Sequence, residues 1–363
     1  MSIIDTLHRW TGGLIGLLLA VLGLSGAILV HKDAWISLPH TGDAQVQDVG
    51  QLASTLEGLM AASGAQPQSV LFSTESFGLH RVRFTEDAGA YVSQSGDTVA
   101  SWTSKWDRFE LWLFDLHHYL WSGEAGATVA GLLGLIGLCF VVTGVILWWR
   151  TRKTFEFRLW PARMSRPAIL RQHRDFGIII APLLTLSMLT GVMLTLNPVR
   201  SLLLSPLSSP EEMKAALAPP KVAGGALDPQ LDWDVVLTQA RQTFPEAEFR
   251  SLSLPKGEGD LISLRMKQPE EWLPNGRTLL WFDPADGRLV EARDALSMPI
   301  GSQVFNMVYP LHAAKVGGLA YQLVMTVSGL GLCLLGTLTV WSFWFRRPKP
   351  RPRRAPRVRP ASA

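Results

Sequence analysis

Residues 7–29 read LHRWTGGLIGLLLAVLGLSGAIL. No charged side chain interrupts 10–30, and about 20 apolar helical residues suffice to cross a hydrocarbon core of about 30 Å. Three further runs share this character, at 128–149, 176–196 and 319–345. One such run fits a buried helix of a soluble protein; four do not. Composition agrees, since 47% of the 363 residues are apolar, 18% are charged and 14 are Trp, which argues against a pair of soluble globules. The expected fold class is integral membrane α-helical, with four transmembrane helices. The first run is nearer 20 residues than the roughly 7–15 of a secretory signal, and no convincing A-x-A site follows, so a retained anchor is expected.

Charge sets the expected orientation, because loops rich in Lys and Arg stay in the cytoplasm. The loop 150–175 holds eight Lys/Arg and two acids, and the tail 346–363 holds eight and none. The segment 32–127 has five against twelve acids, and 197–318 has twelve against fifteen. Both termini and the short loop are therefore expected inside, and the two long segments outside. The chain divides into span one (1–31), an external domain (32–127), span two (128–150), a basic internal loop (151–175), span three (176–197), a second external domain (198–311), span four (312–345) and a basic Pro/Arg tail (346–363). Juxtamembrane basic residues at an anionic leaflet account for that tail, so the bilayer is the expected partner and nucleic acid is not. The two cysteines, Cys139 and Cys333, fall inside spans two and four and read as small apolar residues.

An offset of 165 aligns His8-Arg9 with His173-Arg174, Gly12 with Gly177, and Ser25-Gly26 with Thr190-Gly191. An offset of 195 aligns Leu116-His117 with Leu311-His312 and Gly123 with Gly318. Spans one and three, and spans two and four, thus read as copies. Both units start inside, so they are parallel repeats about an axis along the membrane normal. The external segments read as two small α+β modules. Helices are expected at 51–62 and 233–244, and strands at 69–72, 80–84, 91–101 and in the SLSLP, LISLRM and RTLLWFD runs. Ser-Gly-Asp and DPADGR mark hairpin turns, where Gly supplies positive φ. The Pro- and Ser-rich 202–220 reads as a linker or surface helix.

The chemistry lies in the histidines. His8 and His173 fall at the inner face, His117, His118 and His312 near the outer face, and His31 at the outer end of span one. A lone His at a membrane boundary is usually interfacial. Symmetry-related histidines at matched depth on different helices, however, suit two axial ligands gripping one iron from opposite sides. His8 with His173 forms one such pair, and His117 with His312 another. A gapless offset of 194 pairs His118 with His312 instead, and that choice stays open. Two readings are also open for the glycines of spans one and two, a flat macrocycle lying against the backbone or close helix packing. No Asp, Glu or Cys stands at zinc-site spacing beside the four histidines, and no P-loop, dinucleotide or serine-nucleophile motif occurs. A redox group in this chain therefore has to sit inside the membrane. Trp102, Trp106, Trp112 and Trp121 suggest an aromatic approach to the outer site, and an interfacial belt explains them equally.

The opening run, DLHHYLWSGEAG at 115–126, QHRDFG at 172–177, LTGVML at 189–194, and PLHAAKVGGLAY at 310–321 with its Trp-and-Arg finish resemble the PepSY-associated transmembrane family. That family includes bacterial inner-membrane ferric-siderophore reductases. The resemblance covers all four spans, and the segments ending in SQSGDTVAS and DPADGR resemble its PepSY modules. It implies two b-type haems held by His pairs, with the family's histidines falling on His8, His117, His173 and His312. His117-His118 departs from a frequent His-Arg. It further implies reduction of a ferric siderophore in the periplasm, with electrons from a quinol or a cytoplasmic reductase. Two rivals remain: a PepSY-type regulatory or binding protein without haem, and an electron-relay subunit serving a separate partner protein.

Overall fold

The computed structural model describes residues 2–62 and 65–345; the basic tail lies outside them. Among the described residues, four helices are long and apolar enough to cross a membrane: Ile3–Leu29, Gly123–Trp149, Arg166–Thr195 and Gly318–Trp344. Helices suit that setting because each backbone N–H and C=O is satisfied within the segment. Large apolar side chains along them point away from the protein, among them Leu14, Leu17, Val142, Leu319 and Leu323. Such a surface suits lipid better than water. Span three begins ten residues before the apolar run at 176, because its first turns, carrying Arg166, Arg171 and Arg174, are helical too. Arg158 and Arg174 both pair with the fully buried Asp175, tying the basic loop to that helix.

Small residues hold the bundle together. A methyl on Gly23 would sit 2.5 Å from the Gly329 carbonyl, and one on Gly16 3.1 Å from the Gly336 carbonyl. Spans one and four therefore touch backbone to backbone. Gly131 and Gly137 do the same work for spans two and three, facing Thr195 and Met188. Close packing is thus the role of most of the glycines read from the sequence.

The two long segments do not fold as separate modules. Each supplies four antiparallel strands to a single sheet and lays one helix, Val49–Ala61 or Trp233–Thr243, over it. The strands are β1 (Ser69–Leu71), β2 (His80–Arg83), β3 (Gly89–Val92), β4 (Thr98–Trp102), β5 (Glu248–Ser253), β6 (Ile262–Lys267), β7 (Thr278–Phe282) and β8 (Leu289–Arg293). They run in the order β4-β3-β2-β1-β5-β6-β7-β8, joined where Val70 faces Leu252. Gly96 and Gly287 take the positive φ that the two hairpin turns require. Alternation along β7 covers both faces: Leu280 and Phe282 join the core beneath the helices Val49–Ala61 and Trp233–Thr243, while Leu279 and Trp281 pack with Met298 on the other side.

That second side leads to two helices the sequence did not single out, Phe109–Tyr119 and Ile300–His312. Each runs to the mouth of the bundle and breaks sharply before its span. Leu120, Trp121 and Gly123 have positive φ at the first break, and Ala314, Gly317 and Gly318 at the second. His312, expected as the first residue of span four, instead ends its own helix. The expected linker at 202–220 contains the short helix Pro210–Ala215, closed by a Ser209–Glu212 capping box, after the helix Asn197–Leu204.

Candidate functional site

Two imidazole pairs stand at opposite ends of the bundle. The ring centres of His8 and His173 are 6.1 Å apart, and those of His117 and His312 are also 6.1 Å apart. Ser25, which holds His117, follows His8 by seventeen residues in span one, about 25 Å at 1.5 Å per residue. The pairs therefore lie at clearly different depths.

All four rings are held in one way. Nδ1 of His8 meets Thr143 Oγ1 at 2.8 Å, and Nδ1 of His173 meets Thr339 Oγ1 at 3.1 Å. Nδ1 of His117 meets Ser25 Oγ at 3.0 Å, and Nδ1 of His312 meets Thr190 Oγ1 at 3.0 Å. Three of these hydroxyls already donate to a carbonyl one turn back: Thr143 to Cys139, Ser25 to Val21 and Thr190 to Leu186. Their oxygens are left to accept, so Nδ1 donates. His312 Nδ1 also lies 3.1 Å from the Ser187 carbonyl, which can only accept. With the proton on Nδ1, the lone pair sits on Nε2, the tautomer a metal ligand needs.

His118 and His31 are placed differently. The His118 ring stacks on Phe114 at 5.5 Å and 13°, and its Nδ1 is buried without a partner. His117, not His118, faces His312. His31 offers Nε2 to Thr326 Oγ1 at 2.8 Å. That hydroxyl donates to the Gln322 carbonyl, so the His31 proton is on Nε2, the reverse of His8, His117 and His312.

A cavity of ≈ 360 Å³ adjoins the outer pair, bounded by both imidazoles, Gly26, Gly191, Gly134 and Met188 among others. This is within the size range of cofactor sites, about 300–1,000 Å³. A methyl on Gly26 would come 2.9 Å from His117 Cε1, and one on Gly191 3.0 Å from His312 Cε1. Only glycine at these two positions leaves the rings where they are. Of the four tryptophans read as an approach, Trp112 and Trp121 pack at 4.9 Å with Trp106 beside them, whereas Trp102 is buried against Tyr91 in the sheet domain.

The donor set discriminates among metal groups. Two opposed imidazoles leave a bare cation with too few ligands, but they complete an iron whose other four positions are filled by a porphyrin. Ring centres 6.1 Å apart in each pair would leave room for one metal ion between the two imidazoles. The spacing, the tautomers and the glycine-walled cavity all fit haem. Thr143 and Thr339 were not found from the sequence. They match at an offset of 196, one beyond that used for spans two and four, and only the contacts reveal their role.

Four apolar spans beneath an antiparallel sheet domain, with paired histidines between the spans, define a multi-pass membrane protein of the PepSY-associated type. The chain belongs to the family described as the PepSY-associated TM region, which it matches over residues 6–347. It is 27% identical over 250 residues to an uncharacterised protein of Pseudomonas aeruginosa strain PAO1, an alignment spanning 65% of this chain and 63% of that protein.

Proposed function

We propose that the protein is a di-haem b-type oxidoreductase of a bacterial inner membrane that reduces ferric siderophore in the periplasm and so releases iron. The observation that carries this reading is the two imidazole pairs, each with ring centres 6.1 Å apart, in which Nδ1 of His8, His117 and His312 donates to a hydroxyl and leaves Nε2 to bind a metal. His8 and His173 would hold one haem, His117 and His312 the other. Bound there, b-type haem supplies reversible one-electron Fe(III)/Fe(II) chemistry.

What the chain contributes is position, polarity and exclusion of water. The hydroxyls of Ser25, Thr143, Thr190 and Thr339 fix ring orientation and make the imidazoles stronger donors. The apolar spans keep the sites dry, and their two depths give a charge stopping points across a slab in which it is otherwise very costly. In this reading the spans are two parallel repeats, the sheet domain is periplasmic and both termini are cytoplasmic. The acceptor, a ferric siderophore, is too bulky and polar for the bundle and docks where the sheet domain meets the helices Phe109–Tyr119 and Ile300–His312. Its hard oxygen ligands favour Fe(III), so one-electron reduction to Fe(II) weakens the complex. The donor is a quinol or a cytoplasmic reductase.

Visible spectra of the purified protein, oxidised and dithionite-reduced, with haem quantified per chain, test the reading. Two low-spin haems are expected, and anaerobic addition of ferric siderophore with a ferrous chelator should reoxidise them. A chain without a Soret band would instead be a PepSY-type regulator. Haem that only a partner protein reoxidised would mark an electron-relay subunit.

A further inference from the structure

The outer cavity is walled mainly by Leu, Gly, Ala, Val and Met, and the acidic side chains are absent from its lining. Two cations line it, Lys32 and Lys315. Lys315 is already engaged, its Nζ 2.7 Å from Asp33 Oδ2. Lys32 has neither an ion pair nor a side-chain hydrogen bond among the described residues. It sits just beyond span one, which ends at Leu29, and so at the mouth of the cavity. Burial holds its amine below the ordinary lysine value, partly offset by the neighbouring Asp33.

An ammonium carries three donors and no acceptor, and one half-buried against an apolar wall, with only nearby carboxylates such as Asp33 to offset its charge and no direct partner for its N–H groups, is costly. A chain that keeps a lysine there has a use for its charge. The lining therefore describes its occupant: a large apolar body for most of the wall, and an anionic group at the mouth.

We propose that Lys32 is the carboxylate anchor of the outer site, its ammonium pairing with a propionate of the haem held between His117 and His312. This rests on the haem reading above. Lys315, half neutralised by Asp33, adds a weaker positive field on the same rim. The consequence is polarity of binding, because the carboxylate edge is drawn to the external mouth and the apolar edge to the bundle interior. A second consequence is electrochemical: a cation beside the haem disfavours the more positive ferric state, so Lys32 raises the potential of the outer site.

The test compares wild-type protein with Lys32→Met, which keeps the length of the stem but not its charge, and Lys32→Arg, which keeps the charge. Redox titration by visible spectroscopy and transfer of haem to apomyoglobin are followed for both sites, the inner haem being the internal reference for folding. Lys32→Met should lower the outer midpoint potential and speed loss of the outer haem on the order of tenfold, with the inner haem unmoved. Lys32→Arg should restore both. Two haems in the wild type, with unaltered outer potential and release in Lys32→Met, would overturn the lysine assignment and leave the haem reading standing. Loss of bound anionic phospholipid in Lys32→Met without any change in potential would also overturn it, assigning the ammonium to a lipid headgroup. A wild-type chain that binds no haem would overturn both readings.

Discussion

At the scale of single residues, the hydroxyls behind the imidazoles separate a metal-ready histidine from a merely interfacial one. Ser25→Ala or Thr190→Val removes the Nδ1 partner of one outer ring, and Thr143→Val that of His8. Loss of such a partner typically weakens metal binding about 10–100-fold. Each substitution should therefore reduce haem retention at its own pair alone, read as haem per chain after dilution. The four paired histidines were legible in the sequence because the repeat marks them. The choice of His117 over His118 was not, since an offset of one residue depends on how the preceding helix is rotated. His80 offers a separate test, on stability. It is fully buried in the sheet domain, and its Nδ1 accepts the Ser73 N–H at 2.9 Å. Burial pushes its pKa from 6.5 down to about 4, and a proton on Nδ1 would set donor against donor. Between those values the unfolded chain binds a proton that the folded one refuses. Stability is therefore full above about pH 6.5 and falls as pH drops towards about 4, by on the order of 3 kcal/mol. Denaturant unfolding followed by tryptophan fluorescence at pH 7 and pH 4.5 should show this loss, and His80→Leu should flatten it.

Among the elements, the spans were readable and the helices that feed them were not. Four uninterrupted apolar runs have no soluble alternative, and the helices exceed them only at their inner or outer ends. Phe109–Tyr119 and Ile300–His312 escaped because their apolar residues read as flanks of spans two and four, and because the first break falls on Leu120 and Trp121. Neither residue type signals positive φ, whereas at the second break Gly317 and Gly318 adopt it without strain. Those breaks let a helix from the sheet domain carry its terminal histidine to the bundle at an angle the span could not reach. Glycine packing between spans gives the prediction at this scale. In Gly23→Ala the new methyl would meet the Gly329 carbonyl at 2.5 Å and Leu332 Cβ at 3.0 Å, so spans one and four must separate. Overpacking of this kind costs about 1–3 kcal/mol, and the thermal midpoint in detergent should fall. Gly177→Ala, where nothing lies within 4 Å of the new methyl, should leave it level or slightly raised, given the better helix propensity of Ala, about 1 kcal/mol over Gly.

For the molecule as a whole, the two long segments could be assigned strands one by one, yet nothing local announced that β1 and β5 would pair. Val70 and Leu252 are 182 residues apart in the chain, and each strand alone reads as one more half-buried strand. Their pairing has a consequence for topology. The two long segments leave from the ends of spans one and three and return at the starts of spans two and four. Because they share one sheet, both must lie on the same side of the membrane, and that side is the one next to His117 and His312. Arg158 and Arg174, locked onto Asp175, hold the basic loop at the opposite end, beside His173. Only two orientations of the whole chain therefore remain, and the eight Lys/Arg in 150–175 favour the one with that loop in the cytoplasm. An alkaline phosphatase fusion after Pro284, in the β7–β8 turn, should be active, and one after Arg158 inactive. The reverse result would put the outer pair on the cytoplasmic side, so that any ferric complex reduced at the sheet domain would have to enter the cell first.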